Sequence, residues 1–158
     1  MNQCLQRTEQ KILEAVKHYW DNQKQSRSDN RLKKFEEFII EKLNTHVLLK
    51  KKAIVEGFYR KQKHWDILVP GKYAIEMKSI NEKSFQKNIN NRIEEAIGNA
   101  VDASRANPHM KFFYFIISEY DSPESFKNLA ELYECVYFVY IQPDIYKMSI
   151  YGNNVLGL

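Results

Sequence analysis

Glycine is scarce in this sequence, with only 5 glycines among 158 residues, so no glycine-rich phosphate-binding loop is expected. The two cysteines, Cys4 and Cys135, lie far apart, and no CxxC motif or Cys/His cluster occurs. This argues against structural zinc and fits a reducing cytoplasm. The histidines are scattered, and no Ser/His/Asp or Cys/His arrangement points to nucleophilic catalysis.

Long apolar runs are also missing. No run reaches the ~18 residues that cross a membrane, and the N-terminus, MNQCLQRTEQ, lacks the apolar core of a signal peptide. The sequence is nevertheless 44% hydrophobic and 13% aromatic, which excludes a disordered chain. We expect one cytoplasmic domain without membrane association, with an N-terminal helix and polar loop (1–30), a core (31–142) and a C-terminal tail (143–158).

One stretch, KHWDILVPGKYAIEMK, predicts a β-hairpin, with strand-forming residues on both sides of a Pro-Gly turn. We expect a three-residue loop, Pro70–Lys72, or a bulge of equal effect, so that Val69 pairs with Tyr73. In that register Asp66 lies opposite Glu76 and points to the same face. A two-residue loop would turn Asp66 to the other face.

Side chains alternate along a strand, so Glu76 and Lys78 share a face of the predicted hairpin. With Asp66 they form a group of two carboxylates and a lysine. Carboxylate oxygens suit Mg²⁺, and the backbone carbonyl of Met77 is a further oxygen ligand. Lys78 would orient or deprotonate a water that attacks phosphorus. The alternative is an ordinary ion pair on the surface of a hairpin.

A helix is predicted over residues 31–43, and Glu36 falls within its apolar face. A carboxylate on an apolar face needs a partner, and a metal ion or a lysine would serve. Glu36 is therefore our candidate for a third acidic metal ligand, with Glu37 second. The alternative is a partly exposed residue at the flank of that face.

Positive charge is concentrated in residues 50–63, where six basic residues and one acidic residue give +5, against +4 for the whole chain. This predicts a phosphate-backbone partner, and the alternative is an edge strand protected by lysines.

A strand is predicted over residues 47–59. The polar loop 22–30 is expected to be a linker, with DNA contact by Lys24, Arg27 and Arg31 as the alternative. The candidate DNA-binding residues in this region are Arg60, Lys61 and Lys63.

A helix is also predicted over residues 91–106, with small residues on one face and several asparagines at its start. These residues suit a DNA phosphate or a base edge, although the asparagines alternatively only cap the helix. The candidate DNA-binding residues here are Lys83, Lys87, Asn90, Asn91 and Arg92.

Two apolar segments, 111–118 and 135–141, predict buried strands, with a helix over 122–133 between them. This order implies a parallel crossover. Together with an N-terminal helix over residues 8–21, the elements predict an α/β fold, an αβα sandwich with a mixed central sheet.

Three segments carry a more specific signal: FYRKQKHWDILV, YAIEMKS and NNRIEEAIGNAVD. An Asp on one hairpin strand and Glu-x-Lys on the next resemble the PD-(D/E)xK nuclease superfamily, with Trp65 in place of the usual proline. The order and spacing of the segments over residues 57–103 are similar to the XhoI-type restriction endonuclease family. The similarity fades beyond about residue 120, and we expect the chain to be shorter at its C-terminus than its family members.

The resemblance implies a restriction-endonuclease-like core and a Mg²⁺-dependent type II restriction endonuclease. Such an enzyme would cut double-stranded DNA at the palindrome CTCGAG as a homodimer. Asp66 and Glu76 would be metal ligands, Lys78 the catalytic lysine, and the start of the NNRIEEAIG helix would face DNA. Two alternatives stay open: a less specific repair or junction nuclease of the same superfamily, and a shortened DNA-binding relic that no longer cuts.

Overall fold

The computed structural model describes residues 2–23 and 28–158. The predicted DNA contacts of Lys24 and Arg27 lie outside the described residues. The described helices and strands are α1 (Asn2–Asp21), α2 (Ser28–Leu43), β1 (Leu48–Leu49), β2 (Ile54–Val55), β3 (Lys63–His64), β4 (Ile67–Val69), β5 (Tyr73–Ile80), α3 (Phe85–Ala106), β6 (Lys111–Ser118), β7 (Cys135–Ile141) and β8 (Tyr146–Gly152), with 3-10 helices at Lys50–Lys52 and Pro123–Glu131. No helix in this described part is long and apolar enough to span a bilayer.

The central sheet has six strands in the order β1-β4-β5-β6-β7-β8. The β5–β6 and β6–β7 pairs are parallel, and the β1–β4, β4–β5 and β7–β8 pairs are antiparallel. A second, two-stranded sheet pairs β2 with β3. The mixed sheet and the parallel crossover between residues 111–118 and 135–141 are confirmed.

Helices cover both faces of the central sheet. Helices α1 and α2 pack on one face through Ile12, Val16, Phe35 and Ile39, against Ile75, Phe113, Phe115 and Tyr137 of the strands. Helix α3 and the 3-10 helix after β6 pack on the other through Ala96, Ala100, Ala103, Phe126 and Leu129. The alanines let α3 approach the sheet closely. The predicted αβα sandwich is therefore confirmed.

Strand β5 divides its side chains between these two layers. Ile75 and Met77 belong to the core beneath α1 and α2, whereas Ala74 and Ile80 belong to the core beneath α3. The alternation puts Glu76 on the α3 side, inside a largely apolar layer. The site described below lies at that position.

The predicted strand over residues 47–59 is wrong. It is broken into β1 and β2 by the 3-10 turn Lys50–Lys52, where Lys50 adopts a left-handed φ of 49°. The N–H of Ala53 donates to the Lys50 carbonyl (N···O 2.9 Å) and closes the turn. The lysines therefore protrude between two short strands instead of following one continuous edge.

Helix α3 begins at Phe85, six residues before its predicted start, so Asn90 and Asn91 lie in its second turn and do not cap it. Phe85 is buried, and its spacing to Ile89 and Ile93 extends the apolar face of the helix backwards. The side chain of Asn81 accepts the N–H of Ser84, with 2.9 Å between nitrogen and oxygen. This hydrogen bond orders the loop before the helix, and Ser84, at the N-cap position, makes no side-chain capping hydrogen bond.

The C-terminal segment is not a separate tail. Strand β8 pairs with β7 along its whole length, from Tyr146 opposite Ile141 to Gly152 opposite Cys135. Leu156, beyond the strand, is buried in the core under α1. Strand β8 and Leu156 thus join the C-terminal segment to the central sheet and its core. The predicted helix over residues 122–133 is a 3-10 helix.

Candidate active site

The hairpin formed by β4 and β5 has the predicted register. Val69 pairs with Tyr73 and Ile67 with Ile75, across the three-residue loop Pro70–Lys72. Gly71 has a left-handed φ of 70°, which a glycine adopts without steric cost. The ladder ends at the Ile67–Ile75 pair, and Asp66 and Glu76 are the next residues beyond it on the two strands.

Asp66 lies at a β-bulge where the ladder ends. Its N–H donates to the Ile75 carbonyl (N···O 3.1 Å), although Ile75 is already paired with Ile67, so two residues face one. The Asp66 carboxylate accepts the N–H of Met77 instead, with 2.7 Å between Oδ2 and N. Burial raises the pKa of Asp66 and the charge of Glu76 raises it further, against the opposing effect of the Met77 hydrogen bond.

Glu76 is almost completely buried, with 3% of its surface exposed, and lies between two lysines. Lys63 Nζ is 3.2 Å from one carboxylate oxygen, Oε2, and Lys78 Nζ is 3.3 Å from the other, Oε1. Oε2 is buried and receives no well-directed hydrogen bond from a described residue. Two ammonium groups thus lie against this buried carboxylate, and one of its oxygens retains coordination capacity.

Lys78 connects Glu76 to helix α3. Its Nζ is also 3.2 Å from Glu95 Oε1, and Arg92 Nη1 is 3.7 Å from the other oxygen of Glu95. Burial alone would lower the pKa of Lys78, but the two carboxylates outweigh it and hold the pKa above its usual value. Lys78 is therefore an ammonium at neutral pH that lies against both carboxylates.

A small cavity of about 120 Å³ opens beside these groups. Its lining residues come from α2, the hairpin and α3: Leu32, Glu36, Asp66, Met77, Lys78, Ser79 and Arg92. Glu36, predicted as a third acidic group, thus faces the same cavity as Asp66. The role of Glu36 as a metal ligand stays a prediction. Glu37 lies outside this cavity lining and pairs with Lys34 (3.4 Å).

The predicted DNA-binding residues divide into inward-facing and outward-facing groups. Lys63 points inward to Glu76, and Arg60 donates from Nη2 to Asn99 Oδ1 (2.5 Å). Lys61 is exposed and lies 3.6 Å from Glu56. The outward-facing members on or before α3 are Lys83, Lys87, Asn90 and Asn91, and Arg92 is partly buried at the cavity.

Asp102 is a structurally important residue that the sequence did not indicate. It is buried on α3, and its carboxylate accepts the N–H groups of Tyr59 (2.6 Å) and Arg60 (3.4 Å). These hydrogen bonds and the Arg60 guanidinium hold its pKa below the usual range, although desolvation opposes them. The buried Gly57 packs against it. The signal available in the sequence was Asp102 itself, an acidic residue among the small residues of one predicted helix face.

The donor set at the end of the hairpin meets the needs of a divalent cation. Within residues 2–23 and 28–158, no three His, Cys, Asp or Glu side chains are grouped closely enough to form a metal site. Mg²⁺, however, needs only one or two carboxylates and completes its shell with water and phosphate. Asp66 and Glu76 would supply these, and the buried Oε2 of Glu76 lacks a hydrogen bond. A strand residue projects its N–H and C=O to the same side, so the Met77 carbonyl points towards Asp66. The residues fit the cation.

Comparison with known proteins identifies the family of this chain. The family model described as "Restriction endonuclease XhoI" matches residues 24–129, which include the hairpin and α3. The chain belongs to the XhoI restriction endonuclease family.

Two curated relatives illustrate the relationship. The type II restriction enzyme XhoI of Xanthomonas vasicola is 52% identical over 54 residues, which are 32% of this chain and 22% of that enzyme. The type II restriction enzyme BstVI of Geobacillus stearothermophilus is 40% identical over 68 residues, 37% of this chain and 30% of that enzyme.

The similarity to the XhoI family is partial in extent. The matched part of the chain spans less than a third of the length of either curated relative. No solved structure matches the chain. The hairpin register, the α3 contact and the family match nevertheless concern the same segment of the chain, since all three fall within residues 24–129.

Proposed function

We propose that this chain is a type II restriction endonuclease that hydrolyses double-stranded DNA at a specific palindrome and depends on Mg²⁺. Membership of the XhoI family supports this function. The observation that carries it is the Asp66 carboxylate, which reaches across to β5 and binds the N–H of Met77, between Glu76 and Lys78. That contact brings the predicted acidic and basic groups to one end of one hairpin.

Asp66 and Glu76 would hold the cation, with the Met77 carbonyl as a further oxygen ligand and Glu36 as a third acidic group across the cavity. Bound there, Mg²⁺ would offset charge that develops on the phosphate and lower the pKa of water. Lys63 and Lys78 already neutralise Glu76. Their ammonium groups would turn to phosphate oxygens as the cation takes over this neutralisation.

Lys78 would position the attacking water and stabilise the pentavalent transition state. The carboxylates of Glu76 and Glu95 hold its pKa above the usual value, so its ammonium group would donate hydrogen bonds to the water and the phosphate and offset developing charge. Attack of water on phosphorus breaks the bond to the 3′ oxygen. That oxygen leaves as a 3′-hydroxyl with the proton of the water, and the other product carries a 5′-phosphate.

DNA would approach across the basic segment 50–63 and the first turns of α3. The phosphate contacts would come from Lys61, Lys83 and Lys87, and base or phosphate contacts from Asn90 and Asn91, which are exposed. Arg60, Lys63 and Arg92 line the inner side of this surface. Such contacts predict a DNA affinity that falls steeply with salt.

Resemblance to the XhoI family further suggests CTCGAG as the target, cut by a homodimer whose two-fold axis matches that of the palindrome. The proposed location is the cytoplasm, where the substrate is. Residues 1–158 would form one nuclease domain.

Digestion of a supercoiled plasmid that carries a single CTCGAG site tests the proposal. With Mg²⁺ the wild-type chain should linearise it, and sequenced ends should show one fixed cut carrying a 5′-phosphate. A plasmid with that site altered by one base pair is the matched control and should stay intact. Cutting of both plasmids would indicate a less specific nuclease. DNA binding without any cutting would indicate a relic.

A further inference from the structure

The loop between β2 and β3 presents two aromatic rings to solvent. Tyr59 is 80% exposed and Phe58 49% exposed, and their rings meet edge to face with centroids 4.9 Å apart. An exposed aromatic pair costs hydration free energy and adds nothing to the core. Isolated exposed apolar residues are ordinary, but two adjacent large rings on a fixed loop indicate a contact surface.

One hydrogen bond closes this loop and others fasten it to α3. The Gly57 N–H donates to the Arg60 carbonyl (2.7 Å), and the Phe58 N–H donates to the Asp102 carbonyl (3.0 Å). The Asp102 carboxylate accepts the N–H of Tyr59 at 2.6 Å. The backbone is therefore held in one conformation while the Tyr59 ring stays outside. Rigid presentation of a side chain lowers the entropy lost when it binds a partner.

The charges around the rings select the kind of partner. The loop belongs to residues 50–63, whose net charge is +5. The Arg105 guanidinium lies 4.7 Å from the centre of the Phe58 ring, and Arg60, the residue after Tyr59, has a half-exposed side chain. Cations that surround stacking rings form the usual surface for nucleic acid, in which phosphates meet the cations and bases or sugars meet the rings.

The position of the loop relates it to the candidate active site. Asp102, which holds the loop, follows Glu95, which holds Lys78, by seven residues of α3. Seven residues are two turns, so both contacts lie on one side of the helix, about 10 Å apart. That distance is about three base-pair steps of duplex DNA.

We propose that Tyr59 contacts the DNA duplex directly, stacking on a base or deoxyribose within a few base pairs of the scissile phosphate. The inference rests on the proposed endonuclease function and deepens it by naming a recognition contact. Aromatic side chains insert at base steps or stack on displaced bases, and truncating one such ring weakens binding measurably. The fastened loop sets where along the duplex the ring lies.

The test is fluorescence anisotropy with a labelled duplex that contains CTCGAG, measured with Ca²⁺ in place of Mg²⁺ and again in EDTA. Tyr59→Leu should bind about tenfold more weakly than the wild type, because it keeps apolar surface and loses the ring. Tyr59→Trp should bind within about twofold of the wild type and show extra tryptophan quenching on DNA addition. Leu5→Ala, which alters a 65% exposed residue on the opposite layer, is the matched control and should bind normally.

Different outcomes would contradict the Tyr59 contact alone or the proposed endonuclease function as well. Wild-type binding that Tyr59→Leu leaves unchanged would overturn the inference alone. Absence of any DNA binding by the wild type would overturn the proposed function and the inference with it. A wild type that sediments as a dimer without DNA, together with a monomeric Tyr59→Leu, would assign the ring to a contact between copies and also overturn the inference.

Discussion

The carboxylate of Asp66 caps the end of the β4–β5 ladder by accepting the N–H of Met77, with 2.7 Å between Oδ2 and N. In a regular hairpin a backbone carbonyl would take that hydrogen bond. At the bulge, the Asp66 side chain takes the place of a backbone carbonyl as the acceptor of the Met77 N–H. A single local distortion thus ends the strand pairing and brings a carboxylate next to Glu76 and Lys78.

The first prediction concerns Lys78. Lys78→Ala should reduce cleavage by at least about a hundredfold, since it removes the donor that would stabilise the transition state, and should leave duplex affinity within about threefold of the wild type. The measurements are single-turnover cleavage and anisotropy. Lys72→Ala, an exposed lysine in the hairpin loop, is the matched control and should cut normally. Unchanged cleavage by Lys78→Ala would remove this residue from the mechanism.

The second prediction concerns Glu36, which lines the cavity that contains Asp66. Glu36→Gln should raise the Mg²⁺ concentration needed for half-maximal cleavage by about tenfold, because the amide is a weaker ligand than the carboxylate. Glu37→Gln changes the neighbouring exposed residue and should leave that concentration unchanged. Equal behaviour of the two variants would argue that Glu36 has a structural role only.

The third prediction concerns the packing of Gly57 against Asp102. A Cβ at this position would lie 2.0 Å from Asp102 Oδ2, so Gly57→Ala should lower the free energy of unfolding by about 1–3 kcal/mol. Gly98 is exposed in the middle of α3, and apart from its own stretch of helix no described atom lies within 4 Å of the point that a Cβ would occupy. Gly98→Ala should therefore stabilise the protein by about 0.5–1 kcal/mol. Urea unfolding of both variants checks the pair, and destabilisation by both would contradict the account.

The fourth prediction is the pH dependence of the same contact. The pKa of Asp102 is lowered in the folded state from its usual value of 3.8, so its contribution to stability is present above that value. The contribution is lost as the pH falls through the lowered, folded-state pKa. Asp102→Asn should therefore be less stable than the wild type by about 1–3 kcal/mol at neutral pH, with the difference narrowing in acid.

Urea unfolding of wild type and Asp102→Asn between about pH 3 and 7 measures that narrowing. Glu94→Gln, which changes an exposed carboxylate on the same helix, serves as the control. A stability difference between wild type and Asp102→Asn that stays constant down to the lowest pH would contradict the account, because the carboxylate would then not be the stabilising group.

The hairpin and the two buried strands could be predicted from the sequence because local rules determine them. Pro70 and Gly71 specify the loop, and the loop length alone sets the pairing of Val69 with Tyr73. Strands β6 and β7 are continuous apolar runs and have the predicted bounds. In each case the signal lies within about ten residues of the structure that it specifies.

Features that depend on tertiary contacts could not be predicted in this way. The break at Lys50 depends on a hydrogen bond from its N–H to the carbonyl of Asp66, 16 positions further along the chain. The inward position of Lys63 depends on Glu76, and the fastening of Tyr59 depends on Asp102. These partners become neighbours only when the chain is folded, so neither spacing nor periodicity reveals them.

The central claim is that Asp66 and Glu76 together hold one divalent cation beside Lys78. The most direct test is isothermal titration of Ca²⁺ into the complex of this chain with its duplex, for wild type, Asp66→Asn, Glu76→Gln and the control Glu94→Gln, each first checked by thermal unfolding. The account predicts that wild type and Glu94→Gln bind Ca²⁺ alike and that the other two bind at least about tenfold more weakly. Equal Ca²⁺ affinity of all four proteins would contradict it.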